Sequence, residues 1–315
     1  MDNSPFSSDA IRTYLPDLRG KLNFKVPLNA RSWFRVGGPA EVLINPADTE
    51  DLAYIIQNIP LNWPVFTLGA TSNLLIRDGG IEGISLQLRR GFNDIIPDDA
   101  EGLIVGAGCL DTVVAENAVQ LHLEGMEFLI GIPGSIGGAI LMNAGAHGSE
   151  IASILDWVEI MTREGEIIQL PAASLGLSYR HSSLPQDAII LRARLQGKKS
   201  NPDTIRNYMD AIRKQREQTQ PIRSRTGGST FRNPDPSISQ HKAWELIDMV
   251  GGRGLSIGGA QVSQKHCNFL INTGNATASD IENLGEELRK RVFESFGIKL
   301  IWEIKRVGRN LVEKG

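Results

Sequence analysis

The chain has 315 residues and a net charge of −3, so its length allows about two domains and its charge does not favour a nucleic-acid partner. Apolar residues make up 41% and charged residues 22%, as in ordinary globular proteins, and no run approaches the ~18 apolar residues of a membrane helix. Only Cys109 and Cys267 are present, which excludes a disulfide framework and a cysteine zinc site and fits a reducing cytosol. Residues 1–20 lack the apolar segment of a signal peptide, and we predict a peripheral helix or tail there.

Residues 21–96 have the spacing of a small α+β unit. The predicted strands are Glu41–Asn45, Val65–Leu68, Leu74–Ile76 and Ile84–Leu88. Asp48 or Thr49 can cap a helix between the first two strands, because the apolar residues that follow recur on one helical face. A loop with the sequence Gly-Ala-Thr-Ser-Asn, Gly69–Asn73, separates the second strand from the third.

Residues 97–200 form a second predicted unit that is rich in strands. It opens with a strand ending in Gly106–Gly108, and a helix is predicted over Val113–Leu121. Two glycine-rich segments follow, Gly131–Gly138 and Asn143–Gly148. The remaining predicted strands are Trp157–Met161, Glu166–Leu170 and Ala188–Leu195.

Residues 201–297 form a third predicted unit, with three helices and a strand over Asn268–Asn272. Asn201–Asp203 combines a cap residue, a first-turn proline and an acid near the positive helix end, which together indicate a helix start. A second helix is predicted over Ala243–Val250. A capping box at Ser279–Glu282 predicts a third helix, which Gly297 can end.

The last segment, residues 298–308, is predicted to supply a strand that returns to one of the earlier units. Hydrophobic and polar residues alternate over Leu300–Val307. This alternation places three apolar residues on one face and Glu303 on the other.

Two glycine-rich segments are candidates for binding phosphate. Gly69–Asn73 and Gly134–Gly145 offer many backbone N–H groups without bulky side chains, and such concave N–H groups bind phosphate oxygens. Neither segment fits the G-x-G-x-x-G of a Rossmann unit or a P-loop. Turns in a glycine-rich α+β domain are the alternative, so this pattern alone leaves phosphate binding open. The histidines show no metal-ligand spacing, and no metal is expected.

Three polar residues are candidates for catalysis, each with an ordinary alternative. Arg180 can clamp a carboxylate or a phosphate, or it can be a surface arginine. Glu303 can act as an acid or donate a hydrogen bond if its face of the strand is buried. Otherwise it pairs with Lys305 or Arg306, or is simply solvated on an edge strand. Ser229 can donate a proton within a hydrogen-bond relay or beside a developing anion, and otherwise its hydroxyl caps a loop.

Motifs spread through nearly the whole chain resemble those of the UDP-N-acetylenolpyruvoylglucosamine reductase (MurB) family, in its shorter-loop type. They are Ser32–Gly38, Leu68–Leu75, Gly131–Gly138, Met142–Gly145, Tyr179–Arg180, Gly227–Pro234, Gly258–Ser263 and Trp302–Gly308. Each motif is weak alone, but their order and spacing are specific. The resemblance implies an α+β fold with a two-part FAD-binding module of the vanillyl-alcohol-oxidase (PCMH) type, at 21–96 with 298–315 and at 97–200. An α+β substrate-binding domain at 201–297 follows it.

The resemblance also implies a reaction. Non-covalent FAD, reduced by NADPH as co-substrate, would pass a hydride to C3 of the enolpyruvyl group of UDP-N-acetylglucosamine enolpyruvate. The product would be UDP-N-acetylmuramate, made in an early cytoplasmic step of peptidoglycan synthesis. The catalytic positions of the family fall on Arg180, Ser229 and Glu303: Ser229 would protonate C2, and the other two would stabilise the developing negative charge.

The resemblance further implies two sets of binding residues. The cofactor set is Gly69, Ala70, Thr71, Ser72, Asn73, Gly134, Ser135, Gly137, Gly138, Asn143 and Gly145. The substrate set is Tyr179, Asn233, Lys265 and His266. A lysine that contacts substrate in some relatives has no clear equivalent, and Lys214, Arg216 and Arg223 are the alternatives.

Two other functions remain open at this stage. The first is another FAD-dependent oxidoreductase on the same module, although no histidine lies in Gly69–Asn73 to tether a flavin covalently. The second is a non-catalytic nucleotide-binding protein. The presence of all three catalytic residue types argues against it. Nothing in the sequence demands more than a monomer, and neither a nucleic-acid partner nor membrane insertion is expected.

Overall fold

The computed structural model of the chain describes residues 5–99 and 101–311. Its α-helices are α1 (Ser8–Tyr14), α2 (Thr49–Asn58), α3 (Asp111–Gln120), α4 (Ile136–Leu141), α5 (Pro202–Thr219), α6 (Ala243–Met249) and α7 (Ala278–Phe296). Short 3₁₀ helices cover Glu127–Gly131, Ile151–Ser153 and Ala172–Ser174. The predicted N-terminal tail and C-terminal strand also include residues 1–4 and 312–315, which lie outside the described residues.

The strands are short and numerous. They are β1 (Lys21–Pro27), β2 (Pro39–Asn45), β3 (Val65–Thr67), β4 (Leu74–Ile76), β5 (Ile81–Leu86), β6 (Ile95–Asp98), β7 (Gly102–Gly106), β8 (Leu123–Glu124), β9 (Gly145–Ala146), β10 (Ser149–Glu150), β11 (Leu155–Met161), β12 (Ile167–Pro171), β13 (Ile189–Gln196), β14 (Lys198–Lys199), β15 (Ser256–Ile257), β16 (Ala260–Val262), β17 (Leu270–Asn272) and β18 (Lys305–Val307).

The chain divides into two compact units, each with its own hydrophobic core. The first comprises the chain up to Phe24, Glu41–Ala70 and Gly83–Gln215. The second comprises Lys25–Ala40, Thr71–Glu82 and the chain from Arg216 onwards.

The first unit contains two sheets. One is most of a four-stranded sheet in the order β1-β2-β5-β3, and the other is an antiparallel five-stranded sheet in the order β12-β11-β13-β7-β6. The predicted start of α2 is confirmed, because the Asp48 side chain accepts a hydrogen bond from the Asp51 N–H at 2.9 Å. Leu52, Ile55 and Ile56 of α2 are buried in the core of this unit.

The second unit packs helices against a small sheet. Strands β15, β16 and β17 form an antiparallel sheet that contacts α7. Strand β18 pairs in parallel with β4, in the register Lys305 to Leu74 and Val307 to Ile76. This pairing joins the strand after the Gly69–Asn73 loop to the strand that follows Glu303.

The capping box predicted at Ser279–Glu282 is wrong, because another pair caps α7. Thr277 Oγ1 accepts from the Asp280 N–H at 3.0 Å, and the Asp280 carboxylate accepts from the Thr277 N–H at 2.9 Å. Glu282 is instead held by a two-pronged ion pair with Arg77, at 2.9 and 3.0 Å. The hydrogen bonds from Arg77 lower the pKa of Glu282. The predicted end of the helix is confirmed, since Gly297 has a left-handed φ of 69°.

The continuous strand predicted over Leu300–Val307 is also wrong, because only its last three residues form a strand. The earlier part has a different partner: the Arg232 N–H donates to Ile301 O at 2.8 Å, whereas β18 pairs with β4. The predicted alternation nevertheless holds in the first part, since Leu300 and Ile304 are buried. A change of pairing partner within one segment is a tertiary event that local alternation does not encode.

No helix in residues 5–99 and 101–311 combines the length and the apolar character that are needed to cross a membrane.

Candidate active site

Within the first unit, Gly69 lies beside the loop that begins at Gly134. A Cβ on Gly69 would come 2.7 Å from Ser135 Oγ, so a larger residue would displace that hydroxyl. Gly137 is fixed by its N–H, which donates to Ala107 O at 2.9 Å. The structure therefore brings two of the predicted cofactor segments together, with a hydroxyl and glycine backbone at their contact.

Asp111 is a buried acid beneath this loop, and it is a residue that the sequence analysis did not identify. It begins α3, its N–H donates to Gly134 O at 3.2 Å, and its Oδ2 would lie 2.6 Å from a Cβ on Gly134. Among the described residues, neither carboxyl oxygen has a hydrogen-bond partner of good geometry. Burial raises the pKa of Asp111 well above its usual value, and the nearby Gly134 amide only partly opposes this shift. Burial therefore favours the neutral form of this carboxyl.

This burial gives a testable pH dependence of stability for Asp111→Asn. Because the folded-state pKa of Asp111 is raised, its contribution to stability is fully present below the unfolded pKa near 4 and is lost as the pH rises through the folded value. The stability of the wild type relative to Asp111→Asn should therefore fall with rising pH, by up to about 1.4 kcal/mol per pH unit. Urea unfolding of both proteins between about pH 5 and pH 8 measures this. A difference that stays constant over that range would mean that Asp111 is not held neutral.

The second half of the Gly69–Asn73 loop lies in the second unit and is anchored there. Thr71 is buried with a φ of 58°, and its hydroxyl donates to Arg31 O at 3.0 Å. Asn73 Nδ2 donates to Glu303 O at 3.1 Å, and Asn73 O accepts from the Lys305 N–H at 3.0 Å. These bonds join the predicted flavin loop to the segment that carries Glu303.

Ser229 and Glu303 are on neighbouring segments of the second unit. The Glu303 N–H donates to Thr230 O at 2.8 Å. On the other side, Ser229 forms an antiparallel bridge with Phe269, and the Thr230 N–H donates to Asn268 O at 2.7 Å. Backbone hydrogen bonds thus hold both residues in place and bring together two of the three predicted catalytic positions.

Asn268 is a further support of the Ser229 loop that the sequence analysis missed. Its buried amide donates to Phe231 O at 2.8 Å and accepts from the Phe231 N–H at 3.0 Å. On the other side of Ser229, a Cβ on Gly227 would lie 2.4 Å from the ring of Phe34, so glycine is required there. The only sequence signal for Asn268 was a polar residue at the start of a predicted strand.

Arg180 belongs to the first unit and lies on a tight turn. Ser178 and His181 exchange backbone hydrogen bonds of 3.1 and 3.0 Å, and Arg180 between them has a φ of 56°. Its Nη2 donates to Gly145 O at 3.2 Å, and its guanidinium lies 5.1 Å from the centre of the Tyr179 ring. These contacts give the guanidinium a defined direction.

A cavity of about 380 Å³ in the second unit is lined by Arg223 and Lys265. Its other lining residues are Glu217, Gln220, Pro221, Ile222 and Ser224. Lys214, Arg216 and Arg223 are the alternatives for the lysine that contacts substrate in some relatives, and of these three Arg223 lines this cavity. Burial lowers the pKa of Arg216, and Lys214 belongs to the first unit.

The two other predicted substrate residues of this unit have defined partners. Asn233 Oδ1 accepts from the Ala243 N–H at 3.1 Å, at the start of α6. His266 Nδ1 accepts from the Asn268 N–H at 3.2 Å, so the proton of the neutral ring is assigned to Nε2. Burial, with a smaller effect from Arg253, lowers the pKa of His266 and favours this neutral form. His266 can therefore offer an N–H donor at neutral pH.

Comparisons with known proteins agree across the whole chain. The model of a family described as an FAD binding domain matches residues 40–171, and the model of the UDP-N-acetylenolpyruvoylglucosamine reductase C-terminal domain matches residues 220–307. The chain is 54% identical to the UDP-N-acetylenolpyruvoylglucosamine reductase of Acidiphilium cryptum (strain JF-5) over 297 residues, or 94% of each protein. It is 56% identical over 291 residues to that of Granulibacter bethesdensis (strain ATCC BAA-1260 / CGDNIH1), or 92% of each.

A solved structure gives the same result. The crystal structure of UDP-N-acetylenolpyruvylglucosamine reductase (MurB) from Thermus caldophilus superimposes with a TM-score of 0.77 at 34% identity, over 91% of this chain and 98% of that one. An FAD-binding domain followed by this C-terminal domain defines an FAD-dependent oxidoreductase of α+β fold. The chain belongs to the UDP-N-acetylenolpyruvoylglucosamine reductase family.

The residues present fit an FAD cofactor. Gly69 is exposed and meets Ser135 so closely that a side chain at Gly69 would fill the space at the contact of the two loops. Small residues and backbone amides of this kind suit a pyrophosphate. Within the part of the chain that the structure describes, no group of three or more His, Cys, Asp or Glu residues could hold a metal ion.

Proposed function

We propose that this protein catalyses the NADPH-dependent reduction of UDP-N-acetylglucosamine enolpyruvate to UDP-N-acetylmuramate, in the cytoplasmic phase of peptidoglycan synthesis. The observation that carries the proposal is the backbone hydrogen bond from the Glu303 N–H to Thr230 O, since Thr230 directly follows Ser229. The Asn73 hydrogen bond to Glu303 O adds to it, because it ties an acid and a hydroxyl to the loop of the FAD-binding motif.

In this mechanism, Ser229 acts as the proton donor. When bound and reduced by NADPH, FAD would supply a hydride to C3 of the enolpyruvyl group. The Ser229 hydroxyl gives its proton to C2, so that hydrogen is added across the C2–C3 double bond, and solvent restores the proton to Ser229. A serine can do this because the carbon of the intermediate is far more basic than a carboxylate, and because the site orients the donor in advance.

Arg180 and Glu303 stabilise the charge that precedes this proton transfer. Hydride addition at C3 leaves negative charge at C2, which spreads into the substrate carboxylate as an enediolate-like intermediate. The guanidinium of Arg180 and the carboxyl group of Glu303 stabilise that charge by hydrogen bonds. Both donors are set before the reaction, Arg180 by its turn and its bond to Gly145, and Glu303 by backbone bonds on both sides.

We assign the flavin to the two glycine-rich loops. Gly69–Asn73 would hold its pyrophosphate, and the second loop would line the rest of the cofactor site. The cofactor set is Gly69, Ala70, Thr71, Ser72, Asn73, Gly134, Ser135, Gly137, Gly138 and Gly145, with Asn143 assigned to it through its backbone. The contact between Gly69 and Ser135 supports placing both loops in one cofactor site.

We assign the UDP-sugar to residues around the cavity of the second unit, together with Tyr179. Arg223 and Lys265 line that cavity, and two cations suit a diphosphate. His266 supplies a neutral N–H donor, and Asn233 can contact the diphosphate or the sugar. NADPH, rather than NADH, is part of the proposal.

The test is an anaerobic visible spectrum of the purified protein. NADPH should bleach the flavin band, and only UDP-N-acetylglucosamine enolpyruvate should restore it. A band that oxygen restores but the enolpyruvyl substrate does not would indicate a different FAD-dependent oxidoreductase. A protein that neither contains nor binds FAD would instead be a non-catalytic nucleotide-binding protein.

A further inference from the structure

Both polar atoms of the Asn143 side chain make hydrogen bonds within the first unit. It is completely buried, and its backbone has a left-handed φ of 38°, which asparagine tolerates better than most residues. Its Nδ2 donates to Ser178 O at 3.1 Å, and its Oδ1 accepts from the Ala152 N–H at 2.9 Å. Because the side chain is completely buried, neither of these polar atoms is exposed for contact with a flavin.

These bonds lead to Arg180. The Ser178 carbonyl that accepts from Asn143 also accepts from the His181 N–H at 3.0 Å, and thus closes the turn on which Arg180 lies. Two residues after Asn143, Gly145 O accepts from Arg180 Nη2 at 3.2 Å. The Asn143–Gly145 segment therefore bonds both to the backbone of the turn and to the guanidinium of Arg180.

We propose that the side chain of Asn143 positions Arg180, and that this side chain acts on the reaction through Arg180 rather than by contact with the cofactor. This inference rests on the proposed role of Arg180 in stabilising the intermediate. The physical reason is that Arg180 has a backbone conformation that is unfavourable for a non-glycine residue, and such a conformation persists only where surrounding bonds enforce it. A displacement of about 1 Å at a catalytic group can slow a reaction by about 100-fold.

The test uses Asn143→Asp, which keeps the size and the acceptor for Ala152 but places an oxygen against Ser178 O. We expect FAD content, the flavin spectrum and flavin reduction by NADPH to match the wild type. Reoxidation of the flavin by the enolpyruvyl substrate should slow by about 10- to 100-fold. Ser182→Ala is the matched control, because Ser182 Oγ donates to Leu141 O at 2.9 Å between the same two segments. It should leave both half-reactions unchanged.

A double-mutant cycle with Arg180→Ala separates this inference from the proposed function. If Asn143 acts through Arg180, Asn143→Asp should have no further effect in the Arg180→Ala background. Additive effects, or loss of FAD from Asn143→Asp, would overturn the inference and indicate an independent or cofactor role. An Arg180→Ala protein with normal reoxidation would overturn the proposed role of Arg180 itself, and the inference with it. If Asn143→Asp does not fold, Asn143→Gly keeps the left-handed backbone and enters the same cycle with the same expected result.

Discussion

Ser229→Ala should leave flavin reduction by NADPH intact and slow its reoxidation by the enolpyruvyl substrate by about 10²- to 10⁴-fold, the usual contribution of a positioned proton donor. The fold should survive, because the neighbouring backbone bonds do not involve the hydroxyl: Ser229 pairs with Phe269, and the Thr230 N–H donates to Asn268 O. Anaerobic stopped-flow absorbance measures the two half-reactions separately, so a defect in proton delivery is distinguished from a defect in the cofactor site.

Two matched variants sharpen the Ser229 prediction. Ser229→Cys retains a side chain that can give up a proton, and it should recover part of the reoxidation rate. Ser237→Ala removes an exposed hydroxyl of the same unit, bonded to Asp235 at 2.6 Å, and should have no effect on either half-reaction. Normal reoxidation in Ser229→Ala would remove Ser229 from the mechanism.

Glu303 should respond differently to two substitutions. Glu303→Ala removes a donor to the developing charge and should slow reoxidation by about 10²- to 10³-fold. Glu303→Gln keeps an N–H donor of the same length, so its loss should be smaller, about 10-fold or less. Both variants should keep the backbone in place, because its bonds to Thr230 O and from Asn73 Nδ2 use main-chain atoms of Glu303.

The contrast between these two variants is the informative measurement. A Gln variant as slow as the Ala variant would mean that Glu303 must transfer a proton, which an amide cannot do, and the hydrogen-bond role would be wrong. The pH dependence of reoxidation in the wild type and in Glu303→Gln provides a second reading. A pH dependence that is present in the wild type and absent from Glu303→Gln would come from the Glu303 carboxyl, because the amide does not titrate.

Local sequence signals succeeded where a few neighbouring residues decide the structure. The start of α2 at Asp48 and the end of α7 at Gly297 were predicted because caps depend on one side chain or one left-handed residue. The capping box of α7 was misplaced because two overlapping patterns compete: Thr277 with Asp280, and Ser279 with Glu282. Glu282 does not cap the helix because it pairs with Arg77, a residue 205 positions away in the sequence.

The candidate site shows the same division. The sequence alone determined which residue types are available, the glycine loops, and, through the order of its motifs, the family. Only the tertiary structure decided that Ser229 and Glu303 share a pair of hydrogen-bonded segments, that Asp111 is buried beneath the Gly134 loop, and that the Asn143 amide bonds to the turn of Arg180. The physical reason is that burial and long-range hydrogen bonds depend on residues far apart in the chain, which no local pattern of polarity or spacing specifies.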